Sequence, residues 1–147
     1  MREVRFYHLT RQSLEQALPA LLEKTVERGW RGVVRGPDES RIVDLNKYLW
    51  TYSDNGFLPH GMAADGNEAE QPLFLTTDDV NPNSATVLFL LDGLTETVHS
   101  YDLICLVFSG ADEAATAAAR TAWASYKEAG NALTYWQQGD KGWEKKA

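Results

Sequence analysis

Thr86-Val87-Leu88-Phe89-Leu90-Leu91 and Leu103-Ile104-Cys105-Leu106-Val107-Phe108 decide the fold. Each is apolar at nearly every position, so neither strand can turn one side of its pleat to water. Runs of that kind belong to strands covered on both faces, as in a three-layer α/β/α sandwich. Working outward, Val4-Arg5-Phe6-Tyr7-His8-Leu9 has strand composition with part-alternating polarity. Thr10 to Arg28 reads as a helix, with Leu14, Leu18, Leu21, Leu22 and Val26 at helical spacing. Ser13 with Gln16 three residues on suggests a capping box, and Gly29 a C-terminal stop. Arg31 to Arg35 is a short strand. Gly36-Pro37-Asp38 makes a turn with Asp38 as helix cap, and Ile42, Leu45 and Leu49 carry a second helix to Trp50.

Strand, helix, strand, helix is the pattern of parallel βαβ units. Residues 61–71 form the most polar stretch and read as a surface loop; Pro72 to Thr76 is a short strand. Asp112 to Ala129 reads as a long alanine-rich helix, and the tail from Gly130 holds Trp136 and Trp143. No internal repeat and no linker interrupt residues 1–147. The expectation is a single α/β domain with a mostly parallel sheet.

The charge is uneven. The chain has a formal net charge of −7, with nine Lys/Arg against eight Asp/Glu in residues 1–60 and five against thirteen in residues 61–147. A protein that neutralises many phosphates needs a broad basic surface, so contact with DNA is expected only indirectly, through a partner. The one cysteine, Cys105, excludes an intramolecular disulfide and a cysteine-based zinc cluster. The N-terminus lacks the apolar core of a signal peptide, and no apolar run approaches the roughly 18 residues of a membrane span. The expected setting is the cytoplasm, with no membrane contact.

Parallel sheets raise the prospect of nucleotide binding, yet no G-x-x-x-x-G-K-[ST] occurs, and Leu9-Thr10-Arg11-Gln12-Ser13 after the first strand has no glycine. Gly36-Pro37-Asp38 puts an acid where phosphate would approach. His8, His60 and His99 are too scattered to hold a metal, and Asp78-Asp79 reads as the start of a loop. Cys105 belongs to the core. No G-x-S-x-G elbow is present, and no paired carboxylates stand out as acid and base. Neither a cofactor nor a catalytic residue is expected.

Two stretches read as binding surfaces. Leu49-Trp50-Thr51-Tyr52-Ser53-Asp54-Asn55-Gly56-Phe57-Leu58-Pro59-His60 packs aromatics around a turn. These either plug the end of the sheet or form an apolar docking patch. On the long helix, Ala115, Ala118, Ala119, Ala122, Tyr126 and Ala129 share the face that packs on the sheet, and Thr116, Arg120, Trp123 and Lys127 form a stripe about 100° away. Two cations flanking an aromatic suit an acidic peptide with an apolar end. The plainer alternative is a solvated flank of a packed helix.

The chain resembles chi subunits of bacterial DNA polymerase III along nearly its whole length. The resemblance is carried by Phe6-Tyr7-His8-Leu9, by Leu45 to Trp50 leading into Phe57-Leu58-Pro59-His60-Gly61, by Val87-Leu88-Phe89-Leu90-Leu91, and by the helix with Arg120, Trp123, Tyr126, Lys127, Ala129 and Gly130. It implies a Rossmann-like fold without a phosphate-binding loop, and a non-catalytic accessory subunit of the clamp-loader complex. It implies two partners: the acidic, Phe-ended C-terminal tail of single-stranded DNA-binding protein, and the psi subunit or another clamp-loader component. The family's tail site uses basic residues on the C-terminal helix, which points to Arg120, with Trp123, Lys127 and Thr116 on the same stripe. The psi-facing surface points to Trp50, Phe57 and Pro59. Where other chi proteins carry further basic residues one turn either side of the arginine, this chain has Thr116 and Ala124, so tail binding is expected to be weaker or more salt-sensitive. The competing reading is a small nucleotide-binding protein or enzyme using the strand C-terminal edge near Gly36, Asp78 or Ser109. A third is direct single-strand binding, which the acidic second half opposes.

Overall fold

The computed structural model describes residues 2–52, 58–95 and 101–147. Strands β1 (Glu3–Leu9), β2 (Gly32–Arg35), β3 (Gly61–Met62), β4 (Leu73–Thr76), β5 (Val87–Leu91), β6 (Leu103–Ser109), β7 (Ala132–Gly139) and β8 (Gly142–Lys145) form one sheet. Helices α1 (Leu14–Glu27), α2 (Glu39–Thr51) and α3 (Glu113–Glu128) lie against it. The strand order is β3-β4-β2-β5-β6-β1-β7-β8, parallel throughout except for the antiparallel β7–β8 pair. This is the Rossmann-like, mostly parallel α/β arrangement expected from the sequence.

The expected helix starts at Leu14 rather than Thr10, because the Ser13 capping box sets its first turn and Gln138 holds the amides of Thr10 to Gln12: Ser13 Oγ accepts the Gln16 N–H, and Gln16 Oε1 accepts the Ser13 N–H at 3.0 Å. Such a cap contributes about 1 kcal/mol. Gly29 follows at φ +76°, the left-handed turn that glycine takes at least cost. Asp38 caps α2 through the Arg41 N–H at 2.8 Å, and Asp112 caps α3 through the Ala115 N–H at 3.0 Å.

Strands β5, fully buried, and β6, buried from Leu103 to Phe108, occupy the middle of the sheet, as their apolar runs require. Alternation then divides the core in two. Tyr7, Leu9, Phe89, Leu91, Cys105 and Val107 face α1 and α2. Val4, Phe6, Leu88, Leu90, Ile104 and Leu106 face α3. The packing face of α3 is Ala115, Ala119, Ala122 and Tyr126, all buried, whereas Ala129 at the end of the expected face is exposed. Burial pushes the Cys105 thiol up to about 12, so it is an inert core group.

One further expectation is corrected, and one stretch gains a structure that the sequence left unassigned. The polar stretch 61–71 includes the short edge strand β3 and two single 3₁₀ turns rather than loop alone. The tail from Gly130 is two strands, and β7 pairs directly with β1, Phe6 opposite Tyr135.

Candidate functional site

Helix α3 positions the expected stripe because its alanine face settles flat on the sheet. That sets Trp123 and Arg120 beside Tyr135 of β7. Trp123 is half-buried, its ring edge-on to Phe6 at 5.3 Å between centroids and 6.0 Å from Tyr135. Phe6 and Tyr135 stack at 5.9 Å across the β1–β7 pair. These are ordinary separations for favourable aromatic pairs. Trp123 is therefore an anchored wall, with one side left open.

Arg120 is exposed above that wall, and among the described residues it has no ion-pair partner. Its charge reaches His8 and Tyr135. Burial, then the Arg120 guanidinium, lowers the His8 pKa below 6.5. Burial raises the Tyr135 phenol, and Arg120 partly offsets the rise. His8 Nδ1 and the Tyr135 hydroxyl share a hydrogen bond at 2.7 Å. His8 lies so close to Gly110 that a Cβ there would run into its Nε2. The site thus joins Arg120 and Trp123 with His8 and Tyr135, two residues the stripe alone does not reveal. His8 lies two positions from Phe6 on the same side of β1, which is the signal that could have found it; Tyr135 follows only once β7 is known to pair with β1.

The other stripe residues contribute differently. Lys127 is exposed in the last turn of α3, seven residues and about 10 Å along the axis from Arg120. Thr116 is half-buried and its hydroxyl donates to the Asp112 carbonyl at 2.9 Å, so it is committed within the helix.

The described residues of the aromatic stretch, 49–52 and 58–60, lie at the end of α2 and before β3. Trp50 is 52% exposed, with its ring 4.4 Å from that of His60. His60 is buried, with ring nitrogens 2.6 Å from the Leu58 carbonyl and 3.2 Å from that of Asn46, and Pro59 is half-buried between them. Phe57 lies outside the described residues. Five strand steps separate β4 from β7, about 24 Å at ordinary sheet spacing.

The carboxyl ends of β1 and β6 do enclose a cavity of about 320 Å³, lined by His8, Thr10, Arg11, Gln12, Ser109 and Gly110 among others. The amides that would cradle a phosphate there are already satisfied: Gln138 Oε1 accepts the N–H groups of Thr10, Arg11 and Gln12 at 3.1, 3.0 and 3.1 Å. At the second turn the Asp38 carboxylate takes the helix N-terminus. Asp79 is 2.9 Å from Arg35 Nη2, and among the described residues no group of three or more His, Cys, Asp or Glu could hold a metal.

A sequence model of the family described as DNA polymerase III chi subunit, HolC, matches residues 1–134. The chain belongs to the DNA polymerase III chi subunit family. A protein named "Probable DNA polymerase III subunit chi" from Rickettsia prowazekii (strain Madrid E) is 35% identical over 91 residues, which cover 62% of this chain and 55% of that protein. The alignment thus spans about half the length of that chi relative. The chi match takes in Trp50, Pro59 and all of α3, and stops within β7. Gln138, Trp136 and Trp143 lie beyond it. No helix among the described residues is long and apolar enough to cross a membrane.

Proposed function

We propose that this protein is a non-catalytic accessory subunit of the DNA polymerase III clamp-loader complex, working in the cytoplasm as one chi-like domain over residues 1–147. It binds the acidic C-terminal tail of single-stranded DNA-binding protein, and so holds the replicase on coated single strands without touching DNA itself. The observation that carries the reading is Arg120. It is an exposed guanidinium without an ion-pair partner among the described residues, standing over an aromatic wall of Trp123, Tyr135 and His8. A guanidinium takes a carboxylate, and the ring edges beside it take a terminal phenylalanine.

Lys127 extends the site by about 10 Å, the length of roughly three extended residues. It suits acids upstream of that phenylalanine. With Thr116 committed to Asp112 and an alanine at 124, two cations do the work of a larger set, which supports weak, salt-sensitive binding. The surface of Trp50 and Pro59, with Phe57, is the docking face for psi or another clamp-loader component. Its separation from α3 lets both partners bind at once, and weak contacts in number then raise the local concentration of polymerase.

A titration with a peptide copied from the single-stranded DNA-binding protein, ending Asp-Phe, tests the reading. Native protein should bind with micromolar affinity that weakens with salt, and Arg120→Ala should lose at least about tenfold. No binding at low salt by a folded protein would end the tail reading. The nucleotide alternative predicts thermal protection by a nucleotide in place of the peptide, and the filled amide cluster at Thr10 to Gln12 weighs against it.

A further inference from the structure

Helix α1 lies over β6 and packs on Tyr7 and Leu9 of β1, and α2 lies over β4; on that same side the sheet continues past α1 to β7 and β8. What stands there is a groove of about 330 Å³. Its floor is Tyr7, Phe89, Leu103 and Cys105, one wall is Trp136 and Trp143, and the other is the last turn of α1 with Lys24, Arg28 and Trp30. This is the opposite side of the sheet from Arg120, because Trp136 alternates with Tyr135 along β7.

Three features of the groove point to a ligand. The rings are held in place: the Trp136 indole donates to Thr134 Oγ1 at 3.0 Å, Trp143 lies edge-on to Tyr7 at 5.1 Å, and the Arg28 guanidinium covers Trp30 at 5.1 Å. Rings fixed in advance lose little freedom when a ligand arrives. The charge is inverted relative to the chain: Arg5, Lys24 and Arg28 line the groove with Glu3 as its sole acid, in a protein of net charge −7. Glu3 is already held by both Arg5 Nη2 contacts, at 3.0 and 3.1 Å, while Lys24 and Arg28 have no carboxylate partner among the described residues. Cations near a helix C-terminus answer its dipole, but that role calls for no tryptophans opposite them. Finally, Trp136 and Trp143 lie beyond the segment matched by the family.

We propose that this groove is a second protein-docking site, which takes an acidic segment of a partner polypeptide. One bulky apolar side chain of that segment enters between Trp136, Trp143 and the Tyr7 floor. Its flanking carboxylates meet Lys24 and Arg28. Single-stranded nucleic acid fits the groove less well. Successive bases need a row of open ring faces beside a basic track, whereas here Trp143 is edge-packed and Trp30 is covered by Arg28.

The test follows the tryptophan indole N–H signals by NMR, assigned with Trp→Phe variants. Arg120→Ala protein, in which the α3 site is disabled, is titrated with an acidic peptide of about twelve residues carrying one internal phenylalanine and an amidated end. The expected result is saturable movement of the Trp136 and Trp143 signals. It should weaken about tenfold in Lys24→Gln/Arg28→Gln and vanish when the peptide's phenylalanine is replaced by serine. Unmoved Trp136 and Trp143 signals at millimolar peptide would overturn the proposal. So would equal binding by the double variant, or a response to oligo-dT where the peptide gives none. In native protein the Trp123 signal reports on the α3 site separately, so a failure of the tail reading and a failure of this one are told apart.

Discussion

Gln138 holds Thr10 twice: its Oε1 accepts the Thr10 N–H at 3.1 Å, and its main-chain carbonyl accepts the Thr10 hydroxyl at 2.9 Å. The same Oε1 takes the next two amides, and Nε2 donates to Gln12 Oε1 at 2.7 Å. A side chain from β7 therefore stands where a phosphate would stand in a nucleotide-binding relative of this architecture.

Gln138→Ala should leave three amides short of an acceptor. The expected cost is about 1–3 kcal/mol, a fall of roughly 3–9 °C in melting temperature for a chain of this size. Sulfate or phosphate should restore part of the loss in the variant and little in native protein, as read by thermal denaturation with and without the anion.

Gly110→Ala should disturb the tail site without touching a cation. The added Cβ would run into His8 Nε2 and force the ring off Tyr135. We expect about 1–3 kcal/mol of destabilisation and loss of the His8–Tyr135 hydrogen bond, visible in the His8 imidazole signals by NMR.

His8 also sets a pH dependence. Its folded pKa is lowered from 6.5, so the unfolded chain binds the proton more readily. Above 6.5 both states are neutral and His8 has no effect. As pH falls below 6.5 the unfolded state gains a proton first, and stability drops. Melting temperatures of native protein and His8→Gln, compared at pH 7.5 and 5.5, should show a smaller acid loss in the variant. An equal loss would mean that other groups carry it.

Trp50 should behave differently from Trp123. Trp50 is 52% exposed, so Trp50→Ser should change stability by less than about 1 kcal/mol and leave tail binding intact, while pull-down of a clamp-loader partner is lost. Trp123→Ala removes a ring packed on Phe6 and Tyr135, and should cost about 2–4 kcal/mol as well as tail affinity. Thermal denaturation beside peptide titration separates the two.

Much of this was legible in the chain. The continuous apolar runs of β5 and β6 give away a sheet covered on both sides, and Ser13, Asp38 and Asp112 mark helix starts through short-range chemistry that needs no tertiary context. Arg120 and Trp123 follow from helical spacing. What stayed hidden depends on long-range pairing. Ala132 to Gly139 has half-buried positions almost throughout, so no clean alternation announces a strand. With β7 unseen, Tyr135 could not be placed beside His8, nor Gln138 beneath Thr10, nor Trp136 opposite Lys24. Residues 61–62 are too few to show any period at all.

The place of β1 has a consequence for how the protein is made. Its two neighbours are β6 and β7, so β1 bonds to strands that begin at Leu103 and Ala132, about a hundred residues or more after it. At bacterial synthesis speeds of about 5–20 residues per second, Leu9 waits roughly 6–25 s for Ala132 to be added. Throughout that interval the edge of β1 that pairs with β7 has no native strand to bond to, although α1, β6 and α3, all made before β7, cover its faces and its other edge. The nascent chain thus carries an unpaired strand edge, and early termination before β7 should deliver it to chaperones or to aggregates rather than to a partly working subunit.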